Sequence, residues 1–129
     1  MERVTGIGGV FFKARDPREL LEWYRKHLGV QPEPGGEAAV FAWERTEGPD
    51  RPGSTTWAIF PADTAYFGDR RSQSMINYRV AKLDPMLEQL REAGVEVDER
   101  VEESEFGRFG WATDPEGNRF ELWEPPPGH

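Results

Sequence analysis

Near its carboxyl end the chain reads Asp114-Pro115-Glu116-Gly117-Asn118-Arg119-Phe120-Glu121-Leu122-Trp123, and the way this stretch bends decides the fold. Pro115 pre-sets a turn, and Gly117 and Asn118 are residue types that tolerate positive φ. Trp111-Ala112-Thr113 and Arg119 to Trp123 therefore read as the two arms of a hairpin. Along the second arm side chains alternate between faces, so Phe120 and Leu122 share one face while Arg119, Glu121 and Trp123 share the other. With Phe120 and Leu122 on the core, Glu121 points toward whatever the sheet encloses.

A repeat extends this reading over the whole chain. Val10-Phe11-Phe12-Lys13-Ala14-Arg15-Asp16-Pro17 and Tyr78-Arg79-Val80-Ala81-Lys82-Leu83-Asp84-Pro85 lie 68 residues apart (84 − 16). Each is an apolar-rich strand running into Asp-Pro. Aspartate accepts hydrogen bonds from the free amides of a helix's first turn, and proline at the first helical position loses none, so both dipeptides read as helix starts. In the first half Glu19 completes a capping box, Leu20, Leu21, Tyr24 and Leu28 form an apolar stripe, and Gly29 ends the helix. In the second half the stripe is Leu83, Met86, Leu87 and Leu90, and Gly94 ends it.

Strand signals follow each helix: Ala38 to Trp43 and Thr55 to Phe60 in the first half, then Val95 to Val101, Phe109 to Thr113 and Asn118 to Trp123 in the second. A short edge strand is expected at Val30-Gln31, limited by Pro32 and Pro34. Residues 47–54 read as a solvated turn region, and Gly107-Arg108-Phe109-Gly110 as a bent strand start. More strand than helix, with the helices on one side, makes an α+β protein with curved sheets. The chain is expected to be one domain over residues 1–129, with a first module at 1–61, a linker at 62–74 and a second module at 75–129.

Composition narrows the function. A chain of 129 residues suffices for one core without staples, and the absence of cysteine excludes disulfides, thiolate metal sites and thiol catalysis. The formal charge of −8 argues against nucleic acid, which needs clustered cations. No segment has the apolar length of a membrane span, and the amino terminus lacks the apolar run of a signal peptide, so a cytoplasmic protein is expected. Five tryptophans and an aromatic fraction of 12% leave ring surface that a pocket can use.

The duplicated strand-helix-strands unit, with Trp23-Tyr24 and Leu28-Gly29-Val30 in the first half and Asp114 to Leu122 closing the second, resembles the glyoxalase/bleomycin-resistance/extradiol-dioxygenase superfamily, also called vicinal oxygen chelate. The resemblance implies two βαβββ modules whose sheets curl into a cup with helices outside, a small-molecule site within the cup, and a homodimer. It also implies a divalent metal held from the first and last strands of the modules. The first-strand ligand position falls here on Gly9, and its second-module equivalent on Met75, or on Asn77 two residues later. The fourth-strand position lies within Thr55 to Ile59, which holds no carboxylate, histidine or glutamine. Only the last-strand ligand survives, as Glu121. Three or four protein donors are needed to hold such an ion, so no cofactor is expected. His27, in the last helical turn, reads as a dipole partner, and His129 is terminal.

Without a metal, Glu121 reads either as a member of an ion pair or hydrogen bond in the sheet, to Arg79 or Lys13, or as a ligand-orienting or proton-transferring carboxylate whose pKa rises in a dry cup. Phe11, Trp57, Tyr66, Asn77, Arg79 and Trp123 are the candidate ligand-binding residues, Glu121 the candidate catalytic one; Trp43 and Trp111 are weighed with the core aromatics. Tyr66-Phe67, at the junction of the modules, read either as a flap over the cup or as a surface loop with buried anchors. The leading functional expectation is a small-molecule binder for a hydrophobic or amphiphilic compound, cationic ones included. The alternatives are an enzyme, either a metal-dependent lyase or dioxygenase or a metal-free isomerase using Glu121, and an interaction domain that has kept only the fold.

Overall fold

The computed structural model describes residues 1–43, 53–68 and 71–128. Its elements run β1 (Val4–Ala14), α1 (Pro17–Leu28), β2 (Ala38–Ala42), β3 (Ser54–Pro61), β4 (Ser74–Val80), α2 (Leu83–Glu92), β5 (Glu96–Val97), β6 (Glu102–Ser104), β7 (Gly107–Thr113) and β8 (Arg119–Glu124). The strands form one mixed sheet in the order β2-β3-β1-β4-β8-β7-β5, with β6 added beside β7. The two halves meet where β1 pairs antiparallel with β4, while β1 runs parallel to β3 and β4 parallel to β8.

The closing hairpin forms as the sequence dictates. Thr113 pairs with Arg119 and Trp111 with Glu121. The Asp114 carboxylate accepts the backbone N–H groups of Glu116 and Asn118 and the Asn118 side-chain amide, each at 2.9 Å. Gly117 alone takes the positive φ, at 87°, and Asn118 does not share it.

The two helices begin by different means. In α1 the Asp16 carboxylate accepts the Glu19 N–H at 3.1 Å, and Gly29 leaves the helix at φ 70°. The stripe is shorter than expected, because Leu28 is 65% exposed. In α2 the cap is not Asp84. The helix starts at Leu83, and the Leu83 N–H donates to Glu124 Oε1 at 2.7 Å, so a side chain on β8 supplies what Asp16 supplies locally in α1. Leu83, Met86 and Leu87 are buried and form a cluster with Val80 and Leu122.

Three other expectations change. Val30-Gln31 are not in a strand. The stretch from Val95 to Val101 keeps only the two-residue β5, the chain reaching β7 again through β6. Of the turn region at residues 47–54, residues 47–52 lie outside the described residues.

Face parity separates two packing layers. Val80 and Leu122 lie on the face covered by the helices, as do Phe12 and Trp57, whose rings contact Tyr24 of α1 at 6.1 and 5.1 Å. The opposite face carries a second buried cluster of Phe11, Phe67, Met75 and Trp111. This second face is concave. Tyr66 contacts Phe60 on β3 and Trp111 on β7, bringing those rings within about 12 Å, whereas four strand spacings in a flat sheet would separate them by roughly 19 Å. The sheet therefore curls, with both helices on its outer side.

Candidate functional site

The site is built around Glu121, which β8 delivers to the concave face between Phe120 and Leu122 on the helix face. Glu121 is 1% exposed. Its partner in β4 is Asn77, whose Nδ2 donates to Oε1 at 2.5 Å. Its partner in β7 is Trp111, whose Nε1 donates to Oε2 at 2.9 Å. The third donor comes from the segment between β3 and β4: the Tyr66 hydroxyl donates to the same Oε2. All three donors are neutral. Neither Arg79 nor Lys13, the expected ion-pair partners, takes this place.

Burial pushes the Glu121 carboxyl above its ordinary range, and the three donors work against that shift without reversing it. Burial likewise drives the Tyr66 phenol upward, helped by the neighbouring carboxylate. Tyr66 therefore stays protonated and donating, and Glu121 accepts from it in a buried, ring-lined surround.

Rings close the remaining directions. Tyr66 stacks on Phe60 with centroids 5.5 Å apart and planes at 11°, and meets Trp111 edge-on at 6.1 Å and 89°. Phe67, next in the chain, is 1% exposed and touches Phe60 at 5.1 Å, with Lys13 Nζ 5.4 Å from its ring centre. Of the two readings of Tyr66-Phe67, the structure thus has both rings seated on the concave face, Phe67 deep and Tyr66 half-buried.

On β1, two adjacent glycines admit their neighbours. A Cβ at Gly8 would lie 2.2 Å from Asn77 Oδ1 and 2.9 Å from the Trp123 ring, and one at Gly9 2.6 Å from the Phe11 ring. Gly9, the first-strand ligand position implied by the family resemblance, is thus a packing position for Phe11. Asn77 is 3% exposed, and its Oδ1 has no hydrogen-bond partner among the described residues.

The other expected site residues divide between the faces. Trp123 is on the concave side, stacked on Phe109 at 6.4 Å, with Nε1 donating to the Phe106 carbonyl at 2.7 Å and the Arg79 guanidinium 5.8 Å from its ring. Phe11 lies tilted against Phe60 at 5.3 Å. Trp57, expected on the cup wall, is on the helix face instead. Parallel pairing sets Trp57 opposite Val10, and its ring sits 5.2 Å from Phe12 and 5.1 Å from Tyr24. Its neighbours in β3, Ala58 and Phe60, face inward in its place.

Trp111, by sequence one of the core aromatics, is part of the site. Its signal was the hairpin itself, since the turn that sets Thr113 against Arg119 also sets Trp111 against Glu121. Trp43, the other aromatic in that group, lies over Gly6 and Gly53 with Nε1 donating to Thr55 Oγ1 at 2.8 Å.

The donor set does not fit a divalent ion. Gly9 has no ligand atom, Met75 is buried among rings, Asn77 turns its amide N–H toward the carboxylate, and both Glu121 oxygens already accept from neutral donors. Among the described residues no group of three or more histidine, cysteine, aspartate or glutamate side chains converges on a common point. A broad depression lies away from this site, along α1, where Arg15, Trp23, Lys26 and His27 are part of its lining.

Comparison with known proteins places this geometry. No curated protein matches the sequence. Among solved structures the chain is similar to methylmalonyl-CoA epimerase from Streptomyces coelicolor in complex with 2-nitronate-propionyl-CoA, at 20% identity and TM-score 0.66, covering 93% of this chain and 96% of that one. It is similar to methylmalonyl-CoA epimerase from Mycobacterium tuberculosis at 25% identity and TM-score 0.61, covering 96% and 90%. It is also similar to a glyoxalase/bleomycin resistance protein/dioxygenase superfamily member from Vibrio splendidus 12B01, at 12% identity and TM-score 0.53, covering 95% and 97%. The family model for the glyoxalase-like domain matches residues 9–123, from the packing glycine on β1 to the tryptophan that follows Glu121 and Leu122 on β8. The chain belongs to the glyoxalase-like domain family.

Proposed function

We propose that this protein binds a small aromatic or amphiphilic molecule on the concave face of its sheet, without a metal. The observation that carries the reading is the set of rings from β1, β3 and β7 gathered beside one buried carboxylate whose donors are all neutral. Such a surround favours apolar, planar matter with a single polar group, as ligand sites generally do. It does not favour the catalytic alternatives. A general base needs a lone pair free beside the substrate; here Oε2 accepts from both Tyr66 and Trp111, and Oε1, accepting from Asn77, is buried with it.

The test is a thermal-shift and calorimetric screen of the purified protein against neutral aromatic, amphiphilic and cationic compounds, with nickel, zinc, iron and manganese in parallel. A true ligand at a hundred times its dissociation constant is expected to stabilise the fold by about 2.7 kcal/mol. One metal ion bound per chain and lost in Glu121→Gln would overturn the metal-free reading in favour of an enzyme. A flat response to every compound would favour an interaction domain.

A further inference from the structure

We propose that the Tyr66 side chain is a tethered stand-in for the ligand, and that the cage around it, formed by Phe60, Trp111 and Glu121, takes a small neutral phenol. This rests on the concave-face reading and narrows it to one ligand chemistry.

The cage has the parts of a phenol site. One ring face is met by Phe60, stacked at 5.5 Å and 11°, one edge by Trp111 at 6.1 Å and 89°, and the hydroxyl by Glu121 Oε2. Each of these three residues stands on a strand: Phe60 on β3, Trp111 on β7, Glu121 on β8. Tyr66 does not. It belongs to the short turn segment after β3, where its own backbone N–H is held by Thr64 Oγ1 at 3.2 Å. The receptor side is therefore built on rigid elements and the occupant on a turn, the usual division between scaffold and mobile part. Phe67 anchors the segment at 1% exposure, while Tyr66 is only half-buried, so the proposal has the tyrosine ring swing out while the anchor stays.

The chemistry of the cage is selective. Asn77 donates to Oε1 and Trp111 to Oε2, so Oε2 has one donor direction left, the one the Tyr66 hydroxyl fills. A ring without a donor leaves that direction empty. Burying an anionic ring beside an acid whose own ionised form burial already disfavours is costly.

The experiment uses Tyr66→Ala, which removes the phenol and leaves a ring-lined cavity with a buried acceptor. Calorimetry and thermal shift would compare p-cresol, the tyrosine side-chain analogue, with toluene, which lacks the hydroxyl. We expect saturable binding of p-cresol about tenfold tighter than toluene, the value of one well-made hydrogen bond. Equal affinity, or no binding of p-cresol, would overturn the proposal. Should Tyr66→Ala not fold, wild-type protein carrying 3-fluorotyrosine serves, its Tyr66 signal assigned by its loss in Tyr66→Phe. Saturable movement of that signal with p-cresol supports the stand-in, and a signal unmoved up to the solubility limit overturns it. The two readings fail separately. A compound that binds the wild-type concave face with the Tyr66 signal unmoved would sink the stand-in and keep the binding function. Tight p-cresol binding by Tyr66→Ala, with no compound binding wild type, would support the cage and sink the function.

Discussion

Replacing Glu121 by glutamine should change how stability depends on pH more than it changes stability itself. Burial raises the folded-state pKa of Glu121 above that of the unfolded chain, near 4.5. The folded state therefore holds this proton more tightly than the unfolded state. Stability from the group is fully present below the unfolded pKa and is lost as pH rises through the folded pKa, at up to about 1.4 kcal/mol per pH unit. Above the folded pKa the loss is complete and the curve flattens. Asp98 and Asp114 have lowered pKa values and pull the other way at acid pH, but both proteins share them and they cancel in the difference. Glutamine keeps an acceptor oxygen for Tyr66 and Trp111. Its amide nitrogen then faces Asn77, whose side chain can turn over so that Oδ1, unpartnered in the wild type among the described residues, accepts from it. Urea denaturation of both proteins at half-unit steps from pH 4.5 to 8.5 measures the difference. Wild type should lose ground to Glu121→Gln as pH climbs, with the variant at least equal at the upper end. Parallel curves across the range would refute the raised pKa and with it the buried-carboxylate account.

Two further substitutions test the packing and capping described above. Gly8→Ala should cost about 1–3 kcal/mol in urea denaturation, because its Cβ would lie 2.2 Å from Asn77 Oδ1 and force the amide off Glu121. Glu124→Ala should cost about 1 kcal/mol, and hydrogen exchange should speed at the Leu83 amide, which loses its acceptor at 2.7 Å; unchanged exchange there would deny Glu124 its role as the cap of α2.

Much of the architecture could be read from residues because its determinants are local. Asp16-Pro17 and the stretch from Asp114 to Asn118 make their hydrogen bonds within four residues, and alternation along β8 then sends Glu121 inward. What depends on distant pairing could not be read in the same way. Asp84 has the same residue type and the same following proline as Asp16, but the acceptor that caps α2 is Glu124, 41 residues beyond the Leu83 amide it holds. The face of Trp57 lies beyond local reasoning, because the parity of β3 is set by its parallel register with β1, and a slip of one residue reverses every side chain. The inward residues of β3 are instead Ala58 and Phe60. The partners of Glu121 arrive from β4, β7 and the segment after β3, so only Trp111, fixed by the hairpin, was within reach of local reasoning.

The β1–β4 ladder carries a consequence for how the chain is made. Its pairs run from Phe12 with Ser74 to Val4 with Val80, separations of 62 to 76 residues. At translation rates of 5–20 residues per second, β1 emerges roughly 3 to 15 seconds before the strand that covers it. During that interval an 11-residue strand presents a bare edge, the condition that invites pairing with other chains. The register shifts between Val4 and Gly6 and between Ile7 and Gly9 interrupt that edge twice. Irregularities that in the finished protein fall beside Gly6 and Gly8, where Trp43 and Asn77 pack, would, in the nascent chain, make β1 a poorer template for other chains.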